Sequence, residues 1–303
     1  MAAIPFVKEI DFSYGRADRL SPLIRRVICN NPGPFTFTGS GTYIVGREGG
    51  DAAVIDPGPT NDAHLEALVA ALAGARVSHI LITHTHSDHC GGARAFAARV
   101  KAPIWGAGAH PVADKKHDAP ALDEGADYAF APDRMLKDGD EIDGDGWRLG
   151  AVATPGHLSN HLCFALAQES ALFTGDHIMG WATTVIAPPD GDMAAYFDSL
   201  DKILARDDAV YYPTHGAPIA SPKPFVRAIR THRRIRDGQI LDQLKKGRTG
   251  IKEITETIYA DIDKRLHKAA ALNVYAHLIR LVKTGAVECD GAPGITSEYR
   301  LAE

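Results

Sequence analysis

Residues 83–92 read Thr-His-Thr-His-Ser-Asp-His-Cys-Gly-Gly, so His84, His86, Asp88 and His89 place four metal-binding side chains within six positions. The stretch follows Val77 to Ile82, a run with the length and β-branching of a buried strand, and its two glycines open an alanine-rich segment, Ala93 to Val100, suited to a helix. The motif therefore lies on a strand-to-helix loop. Two side chains at i and i+2 can converge there on one ion while Asp88 and His89 turn toward a second. Without a cation such groups would repel one another or lie unsatisfied. Imidazole mixed with carboxylate suits zinc, manganese or iron better than calcium, whose sites are built from oxygen.

The same grammar recurs three times, each an apolar strand ending in a polar loop that carries His or Asp. Leu149 to Ala153 leads into Thr154-Pro155-Gly156-His157, Ala171 to Thr174 into Gly175-Asp176-His177, and Ala209 to Tyr212 into Pro213-Thr214-His215-Gly216. Gly and Pro restrict these loops, so each polar side chain is delivered from a strand end with little freedom. Further strands are expected at Thr42 to Val45, Ala52 to Ile55 and His161 to Ala167, and helices at Asp62 to Leu72 and Met193 to Ala205. This is an α/β pattern. Residues 117–135, rich in Asp, Ala and Pro, read as an irregular connection bordering the site.

H-x-H-x-D-H followed by a lone His, an Asp and a His resembles the metallo-β-lactamase superfamily at all seven ligand positions, over roughly residues 25–220. The resemblance implies an αββα (α+β) sandwich with metals along one edge. By position, His84, His86 and His157 would hold one ion, Asp88, His89 and His215 the other, and Asp176 would bridge both. Asp88 and Asp176 become the catalytic carboxylates, and Asp56, in Ala53-Val54-Ile55-Asp56-Pro57-Gly58, orients the ligand loop. Two zinc ions are implied, with manganese or iron as alternatives. They would lower the pKa of water from about 15.7 toward roughly 7 and so provide a bridging hydroxide as nucleophile.

Asn31-Pro32-Gly33-Pro34-Phe35-Thr36, then Gly41-Thr42-Tyr43-Ile44-Val45, and the Pro213 to Gly216 ending look like the lactamase-beta-like protein 2 group, which includes a single-strand-specific endoribonuclease. Similarity extends to the glyoxalase II thioesterases, although Gly216 here follows the last ligand where those enzymes have a Gly-His-Glu context. A binuclear hydrolase is expected, acting on a small acyl substrate as thioesterase or lactonase, or on RNA as a phosphodiesterase. A mononuclear iron oxygenase or a metal-binding protein without turnover uses the same ligands and stays open.

The other residues set the surroundings. Met1 to Tyr14 has no basic-plus-apolar leader and no apolar span approaches the ~20 residues of a membrane helix, so a soluble, cytoplasmic protein without membrane contact is expected. Cys29, Cys90, Cys163 and Cys289 are scattered and read as reduced thiols, Cys90 as a packed one. His161 and His177 each follow a ligand loop closely, where structural support or a proton relay are the two roles available.

Charge divides the chain near Pro222: residues 1–221 carry 17 Lys and Arg against 28 Asp and Glu, whereas residues 222–303 carry 16 against 10. We expect a catalytic domain over 1–221 and a basic winged-helix-like domain over 222–303. The latter is built from a helix around Phe225 to Ile235 with a dense arginine face, helices over Ile251 to Asp261 and Lys268 to Lys283, and a hairpin of Ala286 to Glu288 with Tyr299 to Leu301. That basic domain would either bind RNA or serve as a packing scaffold at the mouth of the site. Oligomeric state is not legible.

Overall fold

Alternation along the strands creates two cores, one on each face of the same sheet. A computed structural model of the protein describes residues 4–110 and 125–303. Its first sheet has seven strands in sequential order: β1 (Ala17–Arg19), β2 (Ile24–Ile28), β3 (Gly41–Val45), β4 (Asp51–Ile55), β5 (Arg76–Leu81), β6 (Ile104–Gly106) and β7 (Arg134–Met135). Tyr43, Val45, Ala53, Ile55 and Leu81 point toward the second sheet, while Ile44, Ala52, Val54 and Ile80 point to the helices α1 (Asp62–Ala71) and α3 (Ala93–Val100). A period of two thus lets both faces be apolar. Between β5 and α3 lies the one-turn helix α2 (Ser87–Cys90), which carries the second half of the histidine motif.

The second sheet has five strands in the order β12-β11-β10-β9-β8, formed by β8 (Glu141–Gly144), β9 (Trp147–Ala153), β10 (Leu162–Leu166), β11 (Ala171–Gly175) and β12 (Val210–Pro213). Its inner face, including Trp147, Leu149, Phe164 and Phe173, closes the sandwich, and its outer face, including Cys163, Leu172 and Tyr211, packs on α4 (Met193–Leu204). Asp192 caps α4 by accepting from the amides of Ala194 and Ala195 at 2.7 and 3.1 Å. The fold is therefore an αββα sandwich with mixed sheets, as the resemblance implies.

All seven expected strands are present, most shifted by a residue at an end. The reading missed β2 because Ile-Arg-Arg-Val-Ile looks half polar, yet Arg25 and Arg26 are both buried. Arg25 donates to the carbonyls of Ala71 and Leu72 at 2.7 and 3.1 Å and so closes the C-terminal end of α1, which carries a partial negative charge. The connection expected at 117–135 lies outside the described residues up to 124, and its last residues form β7.

After Pro222 come α5 (Pro222–Lys245), α6 (Ile251–Ile258), α7 (His267–Lys283) and the antiparallel pair β13 (Val287–Cys289) and β14 (Tyr299–Leu301), registered Val287 to Leu301. The hairpin is formed, and the C-terminal unit is a winged helix. α5 belongs to two cores, since Phe225, Val226 and Ile229 pack with α4, whereas Ile240 and Leu244 pack with α6 and α7. No helix among the described residues is long and apolar enough to cross a membrane.

Candidate metal centre

The four loops expected to carry ligands meet at one edge of the sandwich. Donor atoms of His84, His86 and His157 lie within 4.8 Å of one another, as do those of Asp88, His89 and His215, and Asp176 groups with His84 and His89. Local geometry delivers them there. Gly175 ends β11 at φ 49°, and a Cβ on it would stand 2.7 Å from His161 Nε2 and 2.9 Å from Thr83, so only glycine lets Asp176 turn under the histidine loop. Asp56 itself has φ 50°, the left-handed region that few non-glycine residues adopt.

That strained aspartate organises both halves of the cluster. One oxygen accepts from the Thr83 amide at 2.8 Å, and the other from Thr83 Oγ1 at 2.7 Å and His89 Nδ1 at 2.8 Å, with Thr214 Oγ1 at 3.3 Å. Because Thr83 donates to Asp56, its hydroxyl oxygen accepts from His84 Nδ1, 3.0 Å away. His157 Nδ1 donates to the Val185 carbonyl at 2.7 Å, and His215 Nδ1 faces the Gly39 carbonyl at 3.3 Å. Each outer nitrogen is thus occupied by an acceptor, which turns the inner nitrogen of each ring toward the cluster and leaves it a lone pair in the neutral rings of His84 and His157.

These inner nitrogens have no adequate partner in the protein. His84 Nε2 and His157 Nε2 lie 2.9 and 3.0 Å from the same atom, His86 Nδ1, and one N–H could at best be shared between them. His89 Nε2 is 3.5 Å from both Asp88 Oδ2 and Asp176 Oδ1, and His215 Nε2 is 3.2 and 3.4 Å from the same two oxygens. His89 Nε2 and Asp176 Oδ1 are buried without any hydrogen-bond partner. Unpaired buried polar atoms are costly, and here they point at one another. The donor set fits cations in both groups, with the Asp176 carboxylate lying between them.

The two halves differ electrostatically. Burial, reinforced by the imidazoles of His89, His86 and His157, keeps the pKa of His84 well below its usual value, and burial with His86 brings His157 to about 4. Both of these rings are therefore held toward the neutral form. Burial also lowers His89, but the carboxylates of Asp88, Asp176 and Asp56 outweigh it and hold that ring well above the usual histidine range. For Asp176, burial acts upward, yet His215 and His89 hold its carboxyl below the usual range. Positive charge is favoured most strongly in the second half.

Other expectations resolve plainly. His161 is buried beside His84, with Nε2 accepting from the Asp176 amide at 3.2 Å and Nδ1 2.9 Å from Thr154 Oγ1, a supporting role. His177 is buried against Tyr196 and has no hydrogen-bond partner for either ring nitrogen. Cys90 is buried with its thiol 4.0 Å from Asp127, and burial pushes its pKa up. Ser40, which the sequence reading passed over, donates to Asp88 Oδ2 at 3.1 Å and is itself held by Asn31 at 2.9 and 3.0 Å. Thr83 and Thr214 were also missed; each directly precedes a ligand histidine at a strand end, which is the one signal that could have found them.

A cavity of about 640 Å³ opens onto His86, Asp88, His157, Asp176 and His215. Phe35, Met179, Trp181 and Val185 wall it from the sandwich, and Tyr259, Ile262, Leu266, Ala269 and Ala270 from the winged helix. None of its described lining residues is Lys or Arg.

Comparison with known proteins agrees with this architecture. The profile of the metallo-beta-lactamase superfamily matches residues 36–215, and that of the beta-lactamase associated winged helix domain matches residues 251–294. The beta-lactamase-like protein 2 homolog of Caenorhabditis elegans is 34% identical over 279 residues, covering 89% of this chain and 88% of its own. The atrochrysone carboxyl ACP thioesterase AgnL7 of Paecilomyces divaricatus is 31% identical over 94% of this chain and 87% of its own. A beta-lactamase domain protein from Burkholderia ambifaria, 19% identical, shares the fold over 99% of this chain and 97% of its own with a TM-score of 0.78. A profile match across more than half of the sequence, joined by end-to-end similarity to named relatives, means that the chain belongs to the metallo-beta-lactamase superfamily.

Proposed function

We propose that the protein is a binuclear metal-dependent hydrolase that cleaves esters or thioesters of an apolar acyl group. The observation that carries this reading is the cavity: its floor is the ligand cluster and its walls are aromatic and aliphatic, as suits burial of an acyl chain. A polyanion would need cations to neutralise its phosphates. The tail arginines do not supply them there. Arg233 is buried, Arg230 pairs with Asp201 at 2.7 Å, and Arg236 lies over the Tyr259 ring at 4.1 Å. A thioesterase among the similar proteins supports the acyl class.

In this reading His84, His86 and His157 would hold one ion and Asp88, His89 and His215 the other, with Asp176 available to both. When bound, the ions supply a water-derived nucleophile at neutral pH and positive charge for the developing oxyanion. Zinc would suit the nitrogen-rich half best, and two zinc ions are the first choice for the pair, with manganese or iron as the other candidates. The Asp176 carboxylate would offset the repulsion between the ions. Asp88, which lines the cavity and accepts from Ser40, would be the carboxylate that takes up and returns a proton. Apolar walls around the acyl group exclude competing water.

The test combines metal counting with turnover of acyl thioesters of increasing chain length and of single-stranded RNA. Two ions per chain, and kcat/KM rising with acyl size until the cavity is filled, are expected. RNA cleavage without acyl hydrolysis, or one tightly held iron with oxygen consumption, would overturn the proposal.

A further inference from the structure

Arg233 is 1% exposed in the middle of α5, and all its recorded partners are uncharged. It donates to the Thr184 carbonyl and, at 3.4 Å, to Asn273 Oδ1, and its guanidinium lies 5.2 Å from the centre of the Tyr196 ring. Among the described residues no carboxylate forms an ion pair with it. Burying a guanidinium without a counter-ion is unfavourable, so what its donors hold becomes the question.

They hold a segment that nothing regular pins. Residues 181–187 belong to neither helix nor strand, so no ladder fixes the Thr184 backbone. Two ligand loops nevertheless hang from it. Thr184 Oγ1 donates to the Asp176 carbonyl at 2.7 Å and lies 3.1 Å from that of His177. The next carbonyl, Val185, accepts from His157 Nδ1 at 2.7 Å, the contact that turns the His157 lone pair inward. A single guanidinium on the winged-helix side thus stands behind the residue shared by both groups and a residue of the nitrogen-rich one.

We propose that Arg233 is a positioning residue for the metal centre, acting through the Thr184–Val185 backbone on Asp176 and His157. The winged helix then takes part in the site without contributing a ligand. Groups that orient metal ligands set affinity because a misplaced donor must be reoriented before it binds. The inference rests on the binuclear reading above, and its experiment separates the two.

Full-length protein stripped of metal is titrated with zinc in competition with a chromophoric chelator, for wild type and for Arg233→Met, Thr184→Val and the double variant. Each single change should weaken at least one zinc site by about 10- to 100-fold. The double variant should lose less than the product of the two single losses, because both act along one chain of contacts. Arg233→Lys, which can still donate to the Thr184 carbonyl, should recover part of the loss. Arg234→Met, its exposed neighbour, should bind zinc as wild type does. Should Arg233→Met fail to fold, Thr184→Val and Arg233→Lys decide the matter. Wild-type affinity in either Arg233→Met or Thr184→Val overturns the clamp alone. A wild type that binds no zinc overturns the metal centre itself, and the clamp with it.

Discussion

Two buried aspartates are handled in opposite ways, Asp176 at the edge of the sandwich and Asp237 between α5 and α7. At the sandwich edge, four imidazoles and two carboxylates face one another, and His89 Nε2 and Asp176 Oδ1 have no hydrogen-bond partner. Between α5 and α7, Asp237 is almost as buried, yet both its oxygens are taken, one by His277 Nδ1 at 2.7 Å and the other by Arg280 at 2.9 Å. The lesson is that burial of an ionisable group does not mark a site. A converging set of unsatisfied donors and acceptors does, because folding alone would not preserve it.

The comparison breaks if the two aspartates behave alike. Asp176→Ala should lower hydrolysis roughly 1000-fold and reduce bound metal at both positions, since it removes the anion between two cations. In chelator the same variant should be about as heat-stable as wild type, because Asp176 Oδ1 has no hydrogen-bond partner to lose. Calorimetry with and without chelator checks this.

Asp237→Asn should do the reverse. Loss of the carboxylate that pairs with Arg280 and His277 should cost about 3 kcal/mol of stability, seen as a lower denaturant midpoint, while zinc stoichiometry stays as in wild type. A fall in stoichiometry without a change in midpoint would erase the distinction.

The smallest effect is expected at the exposed arginines. Arg227→Gln and Arg234→Gln together should leave acyl turnover and its salt dependence within twofold of wild type, whereas a phosphodiesterase that grips RNA through this helix should lose activity stepwise. Steady-state rates at two ionic strengths distinguish the outcomes.

The basic helix shows most clearly where sequence reading stops. Phe225 to Ile235 reads as an amphipathic helix with a cationic face, and the helix is there, but Arg233 lies on its buried side and Arg230 is paired with Asp201. Helical periodicity identifies an apolar face, yet it does not reveal that a second body lies against the other face as well. The same limit hid β2, whose two arginines are buried by contacts with α1 and with Gly216. By contrast the strand-end loops were legible because their signals are local: an apolar run, a glycine or proline, and the polar residue held at the turn.

Sequence alone determined the kind and order of the donors, the strand ends that carry them and the presence of a helical C-terminal unit, since each depends on spacing over a few residues. Tertiary structure decided which donors share a group, how Asp56 and Thr83 fix their tautomers, and that the winged helix walls the cavity. Those outcomes depend on contacts between segments far apart in the chain, such as Arg233 with Thr184 and Thr214 with Asp56. The packing of whole elements selects such contacts, and no local pattern encodes them.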